Sequence, residues 1–296
     1  MVSVLDRVTS LIDKSLLQQT EQEEEEPRFM MLETIRAYGL EMLAASGEME
    51  AIQHAHATYY LALAEEAAPE LRGPQQALWL ERLEREYANL RAAMQWFLAQ
   101  GRTEPGREMA LRLGGALWDF WVVRGLYSEG RTFLEQALAS SEGVATSVRA
   151  RALSAAADFA LFQSDVDRSE ALRQESLVLY RELGDTRGSA SSSWQLAWVA
   201  SRRKGADFAA AQSLREESLS LYREVGDKAC HRLVTPVHSG NRLHTRGVQQ
   251  RTCTVRGESG DVQGTGQQAR YLSPASRGWY CGSLLPRRIR RPFALG

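Results

Sequence analysis

Few residues in this 296-residue chain have the types and spacing that chemistry needs. His54 and His56 are two apart. On a helix that spacing turns them about 200° around the axis, so they cannot share one metal ion. Cys230, Cys253 and Cys281 have no C-x-x-C pair among them and are too sparse for a disulfide scaffold. The chain has only three lysines, Lys14, Lys204 and Lys228, and none follows the glycine-rich run of a phosphate-binding loop. Such a loop needs glycines so that backbone N–H groups can cradle phosphate, and a lysine to neutralise it. G-x-S-x-G is absent, so a hydrolase nucleophile elbow is not expected. The acidic run Glu21-Gln22-Glu23-Glu24-Glu25-Glu26 lacks the alternation of a calcium loop and fits a solvated turn. No catalytic residue, cofactor or metal is expected, and the chain reads as a non-enzyme.

The charge balance hides a split. The chain has 36 Lys+Arg, 37 Asp+Glu and a formal charge of −1. Residues 1–228 carry 25 basic and 35 acidic side chains, whereas residues 229–296 carry 11 arginines, no lysine and only Glu258 and Asp261. Glycine and proline rise at the same place and helical periodicity stops. A boundary near Lys228 follows. Hydrophobic residues make up 44% of the chain, enough for a core. The N-terminus interrupts its apolar stretch with charges, and no run of about 18 apolar residues occurs. No membrane association and a cytoplasmic location are expected.

The elements that would position any site are almost all helical. Val4, Leu5, Val8, Leu11 and Ile12 mark one helix face. Two short apolar runs around the acidic turn predict a β-hairpin. A helix over 33–46 should turn Ile35, Tyr38 and Met42 inward and end at Gly47. The next, over 48–68, should bury Ile52, Tyr59, Tyr60 and Leu63 and stop at Pro69. One long helix over 75–100 is expected from Leu80, Leu83, Tyr87, Leu90, Met94 and Phe97. Further helices are expected over 106–123, 126–139, 146–163, 167–183, 187–203 and 207–225. Trp118, Trp121, Trp194 and Trp198 fall at helical spacing and read as core or inter-repeat packing. Arg202-Arg203-Lys204 would sit at a helix C-terminus, where the dipole favours cations.

The strongest internal signal is a repeat. Gln174-Glu-Ser-Leu-Val-Leu-Tyr-Arg-Glu-Leu-Gly-Asp185 recurs as Glu216-Glu-Ser-Leu-Ser-Leu-Tyr-Arg-Glu-Val-Gly-Asp227, nine of twelve positions being identical at an offset of 42. A fainter copy is Leu134-Glu-Gln-Ala-Leu138. A period of about 34–45 residues with two helices per unit implies an α-solenoid.

These units resemble tetratricopeptide repeats in a 42-residue variety. Upstream, Leu11-Ile-Asp-Lys-Ser-Leu-Leu17, Arg28-Phe-Met-Met-Leu-Glu-Thr-Ile-Arg-Ala-Tyr38, Leu80-Glu-Arg-Leu-Glu-Arg-Glu-Tyr-Ala-Asn-Leu90 and Ala116-Leu-Trp-Asp-Phe-Trp-Val-Val-Arg-Gly125 are similar to one context. It is the sensor arm of AfsR-like and LuxR-like regulators, the signal-transduction ATPases with numerous domains. The resemblance covers about residues 3–228. It implies an all-α fold, an α-solenoid of tetratricopeptide type, with a small N-terminal winged-helix β-hairpin and an irregular C-terminal tail. The expected segments are a winged-helix remnant with its following helix (1–47), a helical linker bundle (48–125), tetratricopeptide-like repeats (126–228) and a basic Gly/Arg/Pro-rich tail (229–296). The resemblance implies a non-enzymatic regulatory arm binding a protein, a peptide or a small inducer in the repeat groove, against an ATPase core in the full-length family. Without a phosphate loop, ATPase activity does not carry over to this chain. By repeat position, Asp158, Leu161 and Phe162 of one unit and Ser193, Leu196, Ala200, Arg203 and Lys204 of the next would face the groove.

Two further expectations concern partners and the tail. The alternative function is a nucleic-acid-binding regulator using the winged-helix remnant or the arginine-rich tail. Nucleic acid is not the expected partner, because Asp6, Arg7, Asp13 and Lys14 balance on the candidate recognition helix. Continuing the repeat by 42 places Pro236 at the position of Trp194 and Asp261 at that of Leu219. A proline costs about 3 kcal/mol inside a helix. Residues 229–296 therefore read as a segment unrelated to the array, or one translated out of frame. A disordered basic arm and a small folded domain are the other readings.

Overall fold

The computed structural model describes residues 4–20, 28–101, 103–141, 146–201 and 207–227. In chain order the elements are α1 (Val4–Asp13), β1 (Gln18–Thr20), β2 (Arg28–Met30), α2 (Glu33–Ala45), α3 (Met49–Glu70), α4 (Gln76–Arg85), α5 (Tyr87–Ala99), α6 (Glu104–Arg124), α7 (Tyr127–Ser140), α8 (Ser147–Phe162), α9 (Val166–Glu182), α10 (Thr186–Ala200) and α11 (Phe208–Val225). The described chain is mostly helical, with one small sheet. It divides into two compact units, Met1–Leu113 and Gly114–Gly296.

In the first unit, β1 and β2 pair antiparallel, with Gln18 opposite Met30 and Gln19 opposite Phe29. The acidic turn and the tail expected after residue 228 lie outside the described residues. The helix over 33–46 forms as α2, but its face does not pack as the spacing predicts. No α2 residue is buried, and Tyr38 is 62% exposed. In α3 the inner face is not the aromatic one. Ala57, Leu61, Leu63, Ala64 and Ala67 are buried, while Ile52 and Tyr59 are exposed. The buried side combines small alanines with the larger Leu61 and Leu63. Leu63 packs inward as expected, and α3 passes Pro69 to end at Glu70.

The single helix expected over 75–100 is two. Glu86 stands between α4 and α5 with φ −90° and ψ 5°, ending one helix and starting the next. Its carboxylate accepts from the Tyr60 hydroxyl at 2.9 Å and from the Asn89 amide at 2.8 Å. That tie to α3 favours the break. The apolar spacing continues unchanged across it, so Leu80, Leu83, Leu90, Met94 and Phe97 are all buried.

In the second unit, α7 to α11 pack as a chain of sequence neighbours, each helix against the next. Two glycines make close approaches possible. A Cβ on Gly130 would come within 2.8 Å of both the Trp121 and Phe159 rings, and one on Gly188 would collide with the ring of Tyr180. The helix starts are written locally. Asp165, Asp185 and Asp207 each accept a backbone N–H in the first turn of α9, α10 and α11. The repeat is visible in hydrogen bonds. Ser176 donates to the carbonyl of Ala150 at 2.9 Å, and Ser218 donates to that of Ala190 at 2.7 Å. The second helices of the two units are thus offset by 42, as the sequence shows, but the acceptors on the first helices are offset by 40. The longer connection between α10 and α11 takes up the difference.

Candidate functional site

The residues expected to face a groove occupy α8 and α10 and differ sharply in access. Asp158 is buried and forms an ion pair with Arg173 of α9. Burial pushes the Asp158 carboxyl upward, and the Arg173 guanidinium pulls against that. A buried charge must be paired, so this side chain is committed to holding α8 on α9. Ser193 and Leu196 are buried in α10. Leu161 and Ala200 are half-buried, and Phe162 is 38% exposed. Arg203 and Lys204 lie outside the described residues, as does Arg202. The accessible part of the expected set is therefore Leu161 and Phe162 on the last turn of α8, with Ala200 at the end of α10.

Phe162 belongs to an aromatic group. Its ring lies 5.1 Å from that of Tyr127 and 6.4 Å from that of Phe159, which in turn meets Trp121 at 6.1 Å. Tyr127 was not singled out in the sequence, because it opens α7 rather than continuing a stripe. The group runs from a fully buried tryptophan to a part-exposed phenylalanine, and the exposed end could receive an apolar side chain.

Charged residues around this region work mainly as fasteners. Arg149 is buried, donates to the Leu138 carbonyl at 2.8 Å and to Ser141 Oγ at 2.7 Å, and pairs with Glu175 at 2.6 Å. It thereby caps the end of α7 from α8 and reaches α9. Arg131 donates to Asp165 at 2.6 Å, to Glu135 at 3.1 Å and to Gln163 at 3.0 Å. The Arg131 partnership first, and the Arg168 backbone N–H second, hold the Asp165 carboxyl below its ordinary range.

The unit formed by α10 and α11 departs from its predecessor. At the offset of 40, Ala152, Leu153 and Ala155 of α8 become Ser192, Ser193 and Gln195. Ser192 Oγ, Ser193 Oγ and Gln195 Oε1 are buried and have no hydrogen-bond partner among the described residues. At the sequence offset of 42 the same three positions align with Ala150, Arg151 and Leu153 instead, because the first helices are two residues out of step. Trp194 is half-buried, with the Arg215 guanidinium over its ring at 5.7 Å. Trp118 and Trp121 are core residues, and Trp198 is half-buried. His54 meets the edge of Trp96 at 5.4 Å and His56 packs on Tyr60 at 4.7 Å. Among the described residues no group of three or more His, Cys, Asp or Glu is placed to hold a metal ion. No helix there is long and apolar enough to cross a membrane.

Residues 2–44 match the family described as winged helix-turn-helix domain. Over 191 residues the chain is 35% identical to provisionally named HTH-type transcriptional regulators of Mycobacterium bovis and Mycobacterium tuberculosis. Each match covers 62% of this chain and 21% of the relative, so the chain spans about a fifth of the length of those proteins.

Proposed function

We propose that this chain is the non-enzymatic interaction arm of a multidomain transcriptional regulator, of the kind built on signal-transduction ATPases. Its helical units, of tetratricopeptide type, take a protein or peptide partner, or a small inducer, on the edge formed by α8 and α10. One observation carries the reading. A winged-helix segment matched over residues 2–44 shares its chain with helical hairpins that repeat the same buried serine-to-carbonyl bond. Binding would shift the populations of two arrangements of the regulator rather than perform chemistry. The side chains with access are Leu161, Phe162 and Ala200.

Selection of a displayed peptide library on the whole chain tests this. Peptides recovered should lose affinity by about tenfold or more, equal to about 1.4 kcal/mol, when Phe162 becomes Glu, measured well below the melting temperature of the variant, which also loses packing against Tyr127 and Phe159. Binding that survives both Phe162→Glu and Leu161→Glu would exclude this edge as the site.

A second reading, DNA contact by the winged-helix segment, is favoured by the names of the relatives. Charge speaks against it. Asp6, Asp13, Glu33, Glu41 and the five glutamates within 21–26 outnumber Arg7, Lys14, Arg28 and Arg36. Phosphate contacts need the opposite balance and fall steeply with salt. Retardation of duplex DNA at low salt that collapses at about 200 mM salt would favour the DNA reading.

A further inference from the structure

The last described helix, α11, exposes a flank that its counterpart α9 conceals. In α9, Arg173 and Leu177 are 3% and 5% exposed and Val166 is half-buried. At the offset of 42, Arg215 and Leu219 are only half-buried and Phe208 is 71% exposed. The opposite comparison shows where α11 is already packed. Ala211, Ser218 and Tyr222 are as buried as Ser169, Ser176 and Tyr180. Positions 208, 215 and 219 are seven and four residues apart, so they share one helix face. In α9, Arg173 of that face pairs with Asp158 of α8, and α9 packs on both α8 and α10. In α11, Arg215 rests over Trp194 and Leu219 on the Ala190–Tyr222 cluster, and no helix is described after it to close the flank.

The charge pattern of the open flank is unfinished in the same way. Arg173 has the Asp158 carboxylate. The position equivalent to Asp158, at the offset of 40, is Trp198, and the Arg215 Nε is buried without a hydrogen-bond partner among the described residues. Its guanidinium rests over Trp194 instead. Beside it Glu216 is exposed and, among the described residues, accepts from the Gln212 amide at 2.7 Å on its own helix. Glu217, next along, already pairs with Arg181 at 2.5 Å.

We propose that this flank of α11 pairs with the same flank of a second copy of the chain. Arg173 and Leu177, the counterparts of Arg215 and Leu219, are buried in α9, so the surface has the residue pattern of a packed helix face. It is also self-complementary, as a two-fold interface requires. With the axis near Glu217 and the helices antiparallel, the Arg215 stem of one copy lies over Leu219 of the other. Its guanidinium is then within a turn of the other copy's Glu216. The two phenylalanines at position 208 cover the ends of the contact. A single helix face is a small interface, so the dimer forms in a concentration-dependent way rather than permanently.

Sedimentation velocity of the whole chain from about 1 to 200 µM, the range in which such small interfaces dissociate, decides the matter. The expected result is a reversible monomer–dimer equilibrium. Phe208→Glu, at a side chain that the monomer does not need, should raise the dissociation constant by about tenfold or more and leave the thermal melt of dilute protein unchanged. Arg215→Glu should also weaken the dimer, and adding Glu216→Arg should restore part of it, which no purely structural role of either residue predicts. A monomer at every concentration would overturn the proposal and would mean that other parts of the chain cover the flank. A dimer indifferent to Phe208→Glu would overturn it equally, by placing the contact elsewhere.

Discussion

Asp165 joins two jobs in one carboxylate. It accepts the Arg168 backbone N–H at 3.2 Å at the start of α9, and it takes the Arg131 guanidinium from α7 at 2.6 Å. Both interactions favour the charged form, so the folded carboxyl titrates below the unfolded value of about 3.9. The sign of the linkage follows. The stabilisation is present above about pH 3.9 and is lost as pH falls through the lower folded value. Asp165→Asn should keep the helix cap, since asparagine also caps, and lose the attraction to Arg131. Its urea midpoint should therefore drop below the parent's at pH 7, and the two should converge in acid. An equal gap at both pH values would show that the carboxylate charge contributes nothing.

At the scale of the element, the repeat makes an internal control. Leu177 and Leu219 are equivalent residues in second helices, but Leu177 is buried and Leu219 is half-buried against the Ala190–Tyr222 cluster. Truncating a fully buried leucine costs about 2–5 kcal/mol, and less where the site is partly open. Leu177→Ala should therefore destabilise more than Leu219→Ala, measured as the difference in unfolding free energy by urea titration. Equal losses would mean that α11 is sealed in solution, by a second copy or by other parts of the chain. The same comparison explains why Tyr180 and Tyr222 behave alike. Burial raises both phenols, while hydrogen bonds with Ser154 and Ser191 respectively oppose the shift.

For the whole molecule, the composition sets limits on chemistry. Lys14, Lys204 and Lys228 are the only lysines and the sequence has no glycine-rich phosphate loop, so we propose that this chain does not itself cradle a triphosphate. Isothermal titration of the whole chain with Mg-ATP should show no saturable heat. Tight, stoichiometric binding would refute both this expectation and the reading of the chain as an arm without its own nucleotide site.

Local signals were enough for some features and insufficient for others, and the division has a physical basis. Helix periodicity, the aspartate caps at residues 165, 185 and 207, and the repeated Glu-Ser-Leu-x-Leu-Tyr-Arg-Glu segment act over a few residues, so the succession of helices and the hairpin is legible in the chain itself. The break at Glu86 is not, because apolar steps of three and four run straight through it and the tie comes from Tyr60 on another helix. Nor is the inner face of α3. Ala57, Ala64 and Ala67 are buried there together with Leu61 and Leu63 while Ile52 and Tyr59 stay exposed, a choice that apolar spacing along the helix does not make. The residues expected from the sequence to face a groove fall on α8 and α10, but the sequence does not show which of their side chains stay accessible. Asp158 goes to Arg173, and Ser193 and Leu196 go inside. Leu161, Phe162 and Ala200 keep some surface. Which flank of a helix meets a neighbour depends on connection length, and the longer link before α11 changes the offset between first helices from 42 to 40. That two-residue shift turns a first helix by about 200° relative to the repeat read from sequence, so only the tertiary structure could assign its face.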